Sequence, residues 1–228
     1  MNYLIFRGVS TLDIGVFAAQ MPAHAKPGVR YTEYQIQGRD GAVHTIEGYN
    51  PFDITCQLTM IRSDAYTRDL INAWADGSGL LITSDMPDRA WQASVFGPVK
   101  YTRRMYGFTC YDLANVTFRC QPGMREAVPS IHTFESSGSI INPGSMESQP
   151  KIVVNGHNTC VFSVGGNTIT LNNVADAVTL DCEAGYVYTP SGAAEMVGDF
   201  PVLPLGKSEV VLGSGVTKIE IQPNWRWL

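Results

Sequence analysis

Apolar and polar side chains alternate in Phe52-Asp53-Ile54-Thr55-Cys56-Gln57-Leu58-Thr59-Met60, a run of nine residues. A period of two is typical of a β-strand with one buried face and one solvated face. The same alternation returns downstream, where apolar Val116, Phe118 and Cys120 are interleaved with Thr117, Arg119 and Gln121. The sequence therefore predicts two half-buried strands in the first half of the chain.

Two of the five cysteines fall on the apolar faces of these strands, which predicts that Cys56 and Cys120 are core residues. His44 and Cys56 together could supply a base and a nucleophile, but core packing is the preferred interpretation because Cys56 points with the apolar face. The odd number of cysteines, without C-x-x-C spacing, fits a reducing compartment better than a disulfide framework.

A short amphipathic helix is predicted between the two strands. Ser63 or Asp64 can cap its start, and Gly77 can supply a left-handed stop after Asp76. Its apolar face is predicted to carry Tyr66, Leu70, Ile71 and Trp74. A helix of this length is not a domain by itself, so we expect it to cover one side of the surrounding sheet.

The segment upstream of these elements is broken by turn formers. Gly15, Pro22, Pro27 and Gly28 interrupt the apolar pieces between Leu12 and Arg30, which predicts an extended arm or long hairpin. Asp40-Gly41 predicts a tight type I′ turn between a strand at 34–36 and another at 43–46. Further strands are predicted at Leu4–Arg7, Leu80–Thr83 and Trp91–Val95.

Alternation stops between Gln121 and Pro129, where turn formers accumulate, so we expect a first domain at residues 1–126 and a second at 127–228. The second half predicts a β-sandwich without a helix. Gly165-Gly166-Asn167 predicts a tight turn, and Trp225 and Trp227 are expected on one buried face of a closing strand. The seven predicted strands are 151–154, 161–164, 168–171, 177–180, 186–188, 209–212 and 218–221.

Composition limits the classes of function. The net charge is −5 over 228 residues, and the basic residues are scattered, which argues against a protein that grips nucleic acid. Arg103-Arg104, with Lys100 just before them, is interpreted as a solvated strand edge. The chain begins without the pattern of a secretory signal and contains no membrane-length apolar run, so we expect synthesis in a cytosol.

No catalytic motif is apparent. The four histidines lack metal-ligand spacing, and there is no nucleophile elbow, phosphate loop or dinucleotide fingerprint. Asp181 and Glu183 flank Cys182 and could serve a cation site or a glycosidase, although polar residues at a strand end are more common. We therefore predict that the chain is not an enzyme and has no catalytic, cofactor-binding or metal-binding residue.

Several motifs, taken in order, give the chain a family resemblance. Gly38-Arg39-Asp40-Gly41 follows a short strand, the predicted helix ends at Trp74, and Asn142-Pro143-Gly144 leads to Pro150-Lys151-Ile152. After these come Asp181-Cys182-Glu183 and the block from Gly198-Asp199-Phe200-Pro201 to Trp225-Arg226-Trp227-Leu228. Over nearly its whole length, the chain resembles the distal tail protein (Dit) family of siphophages.

The resemblance implies a mainly β fold with two β-sandwich-type domains. The N-terminal one would be tail-tube-like, carry one short α-helix and build a hexameric ring, and the C-terminal one would be a galectin-like sandwich outside that ring. Such a ring is the hub at the tail tip of a phage or prophage. It joins the tail tube to the tail-associated fibre or lysin protein and to receptor-binding proteins of a baseplate, and it leaves a channel for DNA.

Two alternatives to a structural hub stay open at this stage. The galectin-like domain could bind sugars of the host cell wall, which requires an exposed aromatic face beside polar groups. Trp225 and Trp227 are the tryptophans of that half, and His157-Asn158 lacks the partnered arginine and glutamate seen in sugar-binding galectins. A wall hydrolase would need a carboxylate pair or a Cys–His pair.

Overall fold

The structure is a computed structural model that describes residues 1–60, 64–107, 109–190 and 192–228. The chain divides into two compact units, Met1–Ala127 together with Leu228 and Val128–Trp227. It is mainly β, as predicted, and the described residues contain one α-helix. The candidate helix cap Ser63 lies outside the described residues.

Unit 1 consists of a nine-stranded sheet, one helix and a separate two-stranded hairpin. Its helix is α1 (Ala65–Trp74). Its strands are β1 (Leu4–Phe6), β2 (Val9–Ser10), β3 (Val16–Ala18), β4 (Val29–Gln35), β5 (Ala42–Tyr49), β6 (Phe52–Met60), β7 (Gly77–Thr83), β8 (Met86–Val95), β9 (Lys100–Tyr106), β10 (Thr109–Cys120) and β11 (Arg125–Glu126).

The large sheet of unit 1 has the order β2-β1-β7-β8-β10-β6-β3, with β11 beside β8 and β9 beside β10. Its two ends come together, because Asn2 forms a bridge with Ala18 of β3 just before β1 begins. The nine strands thus form one curled sheet. Curling encloses the inward faces of the strands in a single core.

The two strands with clear alternation lie side by side at the centre of this core. β6 and β10 are antiparallel, and Cys56 is paired with Val116 in their register. The predicted apolar face of β6 is buried from Ile54 to Met60, and that of β10 at Val116, Phe118 and Cys120. Both predictions are confirmed, since the one-sided period of two follows from one-sided burial.

The helix covers the core with Ile71 and Trp74, as predicted, but with Thr67 in place of Tyr66. The Asp64 carboxylate caps its start by accepting the Thr67 amide at 2.8 Å, and Gly77 has a left-handed φ of 80° beyond its end. Thr67, Ile71 and Trp74 are its buried residues. Tyr66 was expected on this face but lies exposed, because it is a quarter turn away from the Thr67-Ile71-Trp74 stripe.

The predicted extended arm at Leu12–Arg30 is wrong for its first part. Val16 and Ala18 are buried, and β3 completes the large sheet by pairing with β6. An irregular segment, 19–28, then leads to β4. Among the described residues, the hairpin of β4 and β5 pairs with no further strand, and it begins only at Val29.

Unit 2 is a sandwich of a six-stranded and a five-stranded sheet, with the orders β12-β22-β14-β17-β18-β19 and β13-β21-β15-β16-β20. All seven predicted strands are present, and four short ones were missed. The strands are β12 (His132–Phe134), β13 (Gly138–Asn142), β14 (Lys151–Gly156), β15 (Asn158–Val164), β16 (Asn167–Val174), β17 (Ala177–Asp181), β18 (Tyr186–Thr189), β19 (Gly192–Ala193), β20 (Glu195–Val197), β21 (Gly206–Leu212) and β22 (Val216–Gln222).

The core of unit 2 joins the inner faces of both sheets, including Val154 and Ile219 of one sheet and Phe162 of the other. The tight turn at Gly165-Gly166 is confirmed by positive φ at both glycines and by pairing of Val164 with Asn167. A closing strand through both tryptophans is not formed, since β22 ends at Gln222. Trp225 is nevertheless buried, and Trp227 packs half-buried against the core.

Candidate functional site

The residues with potential for covalent chemistry are placed in the core or apart from one another. Cys56 is buried, and burial raises the pKa of its thiol to about 12, with a smaller contribution from Cys120. His44 lies exposed on the β4–β5 hairpin, where its Nδ1 is 3.9 Å from Glu33 Oε2. Such a thiol is protonated at neutral pH and is therefore a poor nucleophile.

The carboxylates around Cys182 serve a turn. Asp181 is the last residue of β17, and its Oδ1 accepts the amide of Ala184 at 3.0 Å. Glu183 lies exposed within the same turn. Across the described ranges 1–60, 64–107, 109–190 and 192–228, no three His, Cys, Asp or Glu residues are grouped as they would be around a metal ion.

One member of the basic pair on β9, Arg103, contributes to the fold, while Arg104 is exposed. Arg103 donates to the buried Asp112 through Nε at 2.9 Å, and Arg68 of α1 also donates to this carboxylate. The hydrogen bonds from Arg103 and then Arg68 lower the pKa of Asp112. This charge cluster fastens the helix to the β9–β10 pair, so Arg103 is already engaged within its own chain.

The candidate functional surface is the β4–β5 hairpin, Val29–Tyr49. Its strands pair with each other in a two-stranded sheet, and no third strand joins them in the part of the chain that the structure describes. Isolated two-stranded hairpins are only marginally stable in water. The hairpin is therefore the candidate for an interaction surface in unit 1.

Each face of the hairpin exposes one apolar cross-strand pair. Tyr31 lies opposite Ile46 on one face, and these side chains are 55% and 71% exposed. Tyr34 lies opposite Val43 on the other face, with 56% and 38% exposed. Large apolar side chains on both faces of a solvated ribbon are unfavourable in an isolated chain, and they favour contact with partners on both sides.

Polar groups set the shape of the first face. His44 packs edge-on against Tyr31 with ring centroids 5.3 Å apart, and its Nδ1 is 3.9 Å from Glu33 Oε2. This face and the loop 36–41 line a shallow concavity of about 750 Å³. The face with the Tyr31–Ile46 pair is thus the concave one.

The loop of the hairpin corrects the predicted two-residue turn. Six residues, 36–41, connect the strands, and positive φ occurs at Gly38 and Gly41 and not at Asp40. A type I′ turn needs two consecutive positive φ values, which Asp40-Gly41 does not have. The hairpin itself was correctly predicted, but its strands extend further towards Val29 and Tyr49 than the local pattern indicated.

The base of the hairpin is anchored to the large sheet. His24, in the segment 19–28, stacks on Trp91 with ring centroids 5.1 Å apart, and its Nε2 is 2.7 Å from Asp85 Oδ2. The Asn50 amide donates to Gly28 O at 2.7 Å. These contacts tie the segment that precedes β4 to the large sheet and join the two ends of the hairpin to each other.

Comparison with solved structures gives a match over the whole chain. The crystal structure of the Dit protein of phage SPP1 superposes with a TM-score of 0.75 at 14% identity, covering 97% of this chain and 98% of that one. This chain has the Dit fold. The predicted resemblance is thereby confirmed for the fold of both units.

Two further similar structures are chains of the phage P2 baseplate in its activated conformation. The one with Ca superposes with a TM-score of 0.46 at 11% identity, over 98% of this chain and 99% of that one. The one with Sr superposes with a TM-score of 0.43 at 10% identity, over 99% of each. No protein-family model and no curated protein sequence matches the chain.

In the first unit, the sequence predicted the extended segment at Leu12–Arg30, whereas the element that stands apart from the large sheet is the hairpin at Val29–Tyr49. The strands of the hairpin alternate, but both faces mix polar and apolar residues, so they lack the one-sided signal of β6. A usable signal was present in the spacing of Tyr31, Tyr34, Val43 and Ile46 around the Gly-rich loop.

The helix of the described chain, α1, is too short to cross a membrane.

Proposed function

We propose that the chain is a structural hub protein at the tail tip of a siphophage or prophage. In this proposal it forms a homo-hexameric ring that joins the tail tube to the tail-associated fibre or lysin protein and to receptor-binding proteins. A channel through the ring lets DNA pass. The observation that carries the proposal is the match of both units, in order and at full length, to SPP1 Dit, which is described as a paradigm of a hub adsorption apparatus.

Residues 1–126 are proposed to form the tail-tube-like ring, and residues 127–228 the galectin-like domain displayed outside it. A closed ring needs a heterologous interface, in which one surface of each subunit meets a different surface of the next. The β4–β5 hairpin suits this requirement because it belongs to unit 1, exposes apolar side chains, and pairs with no further strand in the part of the chain that the structure describes.

The two exposed faces of the hairpin favour insertion between partners over contact on one side alone. Tyr31 with Ile46 and Tyr34 with Val43 point to opposite sides of the ribbon. A stable subunit contact buries on the order of 800 Å² on each partner. In the proposed ring, the hairpin of one subunit contributes both of its faces to that area.

The proposal places the protein in the virion, after synthesis in the cytoplasm of the bacterial host. It assigns no enzymatic activity, cofactor, specific nucleic-acid binding or membrane contact. The part of the proposal that assigns no enzymatic activity is supported by the placement of Cys56 in the core and of Asp181 in a turn. The sugar-binding alternative loses Trp225 as a platform, because this side chain is buried.

The ring is tested by light scattering and negative-stain microscopy of the full-length protein. Two double variants separate the faces of the hairpin: Tyr31→Ser with Ile46→Ser, and Tyr34→Ser with Val43→Ser. We expect rings from the unaltered protein and folded monomers from both variants. A matched control is Ile141→Ser, which removes an exposed apolar side chain of unit 2 and should leave the ring intact.

Two results would contradict the proposal at different levels. A full-length protein that stays monomeric at high concentration, and also after mixing with its tail partners, would remove the hub function. Rings that persist in both hairpin variants would keep the hub but show that the hairpin is not the contact element. Circular dichroism of each variant establishes that a monomer is folded.

A further inference from the structure

The outer face of the six-stranded sheet of unit 2 carries two neighbouring tyrosines, here called the tyrosine platform (Tyr186 and Tyr188). They are two residues apart on β18 and so project from the same face. Their ring centroids are 5.3 Å apart with an interplanar angle of 32°, and Tyr186 is 52% exposed. Packing in the core does not explain these tyrosines, because Val187, the residue between them, faces the core and the tyrosines therefore face away from it.

Polar side chains surround the platform at fixed positions of the sheet. Lys151 lies opposite Asp181 on β14 and β17, and Asp181 lies opposite Tyr186 on β17 and β18. The Lys151 ammonium is 5.8 Å from the centroid of the Tyr188 ring. One row across three strands thus presents an ammonium, a carboxylate and an aromatic ring in succession.

The positions of these groups are held by the sheet and by one another. Hydrogen bonding to Tyr188 keeps the pKa of Lys151 above its usual value, so the amine is charged at neutral pH. The Asp181 carboxylate is oriented through the Ala184 amide. Side chains fixed in this way lose little conformational freedom when a ligand binds.

A cleft of about 500 Å³ lies at the far end of β18, but on the other side of the strand from the platform. Thr189, which lines it, is one residue from Tyr188 and therefore projects from the opposite face of β18. Asn172 and Glu195, which also line it, belong to the five-stranded sheet. The cleft is therefore separate from the platform.

We propose that the tyrosine platform is a binding site for a neutral oligosaccharide. The C–H face of one pyranose ring would stack on Tyr186, the Asp181 carboxylate would accept hydrogen bonds from its hydroxyl groups, and the Lys151 ammonium would donate to ring or hydroxyl oxygens.

The charges and the polarity of this face select that class of ligand. One ammonium and one carboxylate in the same row balance each other, which suits a neutral ligand better than a polyanion or a polycation. Cores of protein–protein interfaces are depleted in charged residues, since dehydrating an ion is costly. A sugar offers both donors and acceptors in place of lost water, together with an apolar face for the ring.

This inference does not depend on the proposed hub, because the site lies within unit 2 and is complete in one chain. The test uses the full-length protein on an array of neutral tetrasaccharides of hexoses and N-acetylhexosamines, followed by calorimetry with the best binder. We expect Tyr186→Ala to weaken binding by about tenfold or more and Tyr186→Phe to retain it within about threefold. Asp181→Asn should also weaken binding by about tenfold, while it still accepts the Ala184 amide.

The matched control is Tyr66→Ala, which removes another exposed tyrosine, on α1, and should leave sugar affinity unchanged. Unchanged melting temperatures show that the unit 2 variants are folded, as expected for a side chain with half of its surface exposed. Absence of binding to every glycan at concentrations up to about 10 mM would overturn the proposal. Binding that Tyr186→Ala leaves intact would also overturn it, because the ligand would then lie elsewhere.

Discussion

Trp225 is predicted to be the main anchor of the C-terminal segment. It is 3% exposed, belongs to the core of unit 2, and meets His132 edge-on with ring centroids 6.4 Å apart. Truncating a buried tryptophan to alanine typically costs about 3–5 kcal/mol. Since a domain has a total stability of about 5–15 kcal/mol, Trp225→Ala should remove a large part of the stability of unit 2.

The cost converts into a large change in melting temperature. For a unit of about 100 residues, each kcal/mol corresponds to about 4–8 °C. Trp225→Ala should therefore lower the melting of unit 2 by about 12 °C or more. Trp227→Ala should cost roughly half as much or less, because Trp227 is only half-buried and has less apolar surface to lose.

Calorimetry of the full-length variants, combined with hydrogen exchange measured on peptides, is the assay. Hydrogen exchange should be faster in β14 and β22 of the Trp225→Ala variant, because the inner faces of these strands share a core with the Trp225 side chain. A Trp225→Ala protein that melts like the unaltered protein would show that the ring is not packed as the structure has it. A larger effect from Trp227→Ala would reverse the assignment of the anchor.

Three further predictions concern activity, nucleic acid and pH. Purified protein should release no muropeptides from peptidoglycan, and release that is lost on substituting Cys56 or one carboxylate would contradict this. Six chains at −5 each give about −30 per proposed ring, so rings should retain duplex DNA poorly, and tight, salt-sensitive retention would count against it. Because the pKa of Asp112 is lowered in the folded state, its stabilising contribution is present above the ordinary value of 3.8 and is lost as pH falls from there through the lower folded-state pKa. Urea unfolding of Asp112→Asn should accordingly vary less between about pH 5 and about pH 3, and an unaltered slope would refute this.

One-sided burial made much of the fold predictable. Ile54, Leu58 and Val116 face a core that their own chain completes, so the period of two appears in the sequence. The helix shows the limit of this reasoning. Thr67 occupies the buried position of the helix that was expected for Tyr66. Whether a threonine is buried between a helix and the core depends on the shape of the core and not on hydropathy.

Local backbone conformation explains the error at the C-terminus. Extrapolating a strand from Ile221 to Trp227 assumes an extended backbone throughout, but Asn224 has a left-handed φ of 55°. The strand ends at Gln222, and the Asn224 amide group donates to Gln149 O at 3.0 Å. Asparagine tolerates this conformation better than most residues, yet a single Asn in an apolar context does not reveal it.

The candidate functional surfaces were the least predictable parts for a related reason. Periodicity reports burial that a chain provides for itself, whereas the hairpin at Val29–Tyr49 carries apolar pairs on both faces and has no partner strand within the described chain. The tyrosine platform likewise adds aromatic residues to the solvated face of a strand, where the pattern assigns polar ones. In both cases the two proposals rest on this departure from one-sided alternation, because a strand shaped only by its own core is expected to have polar residues at Tyr31, Tyr34 and Tyr186.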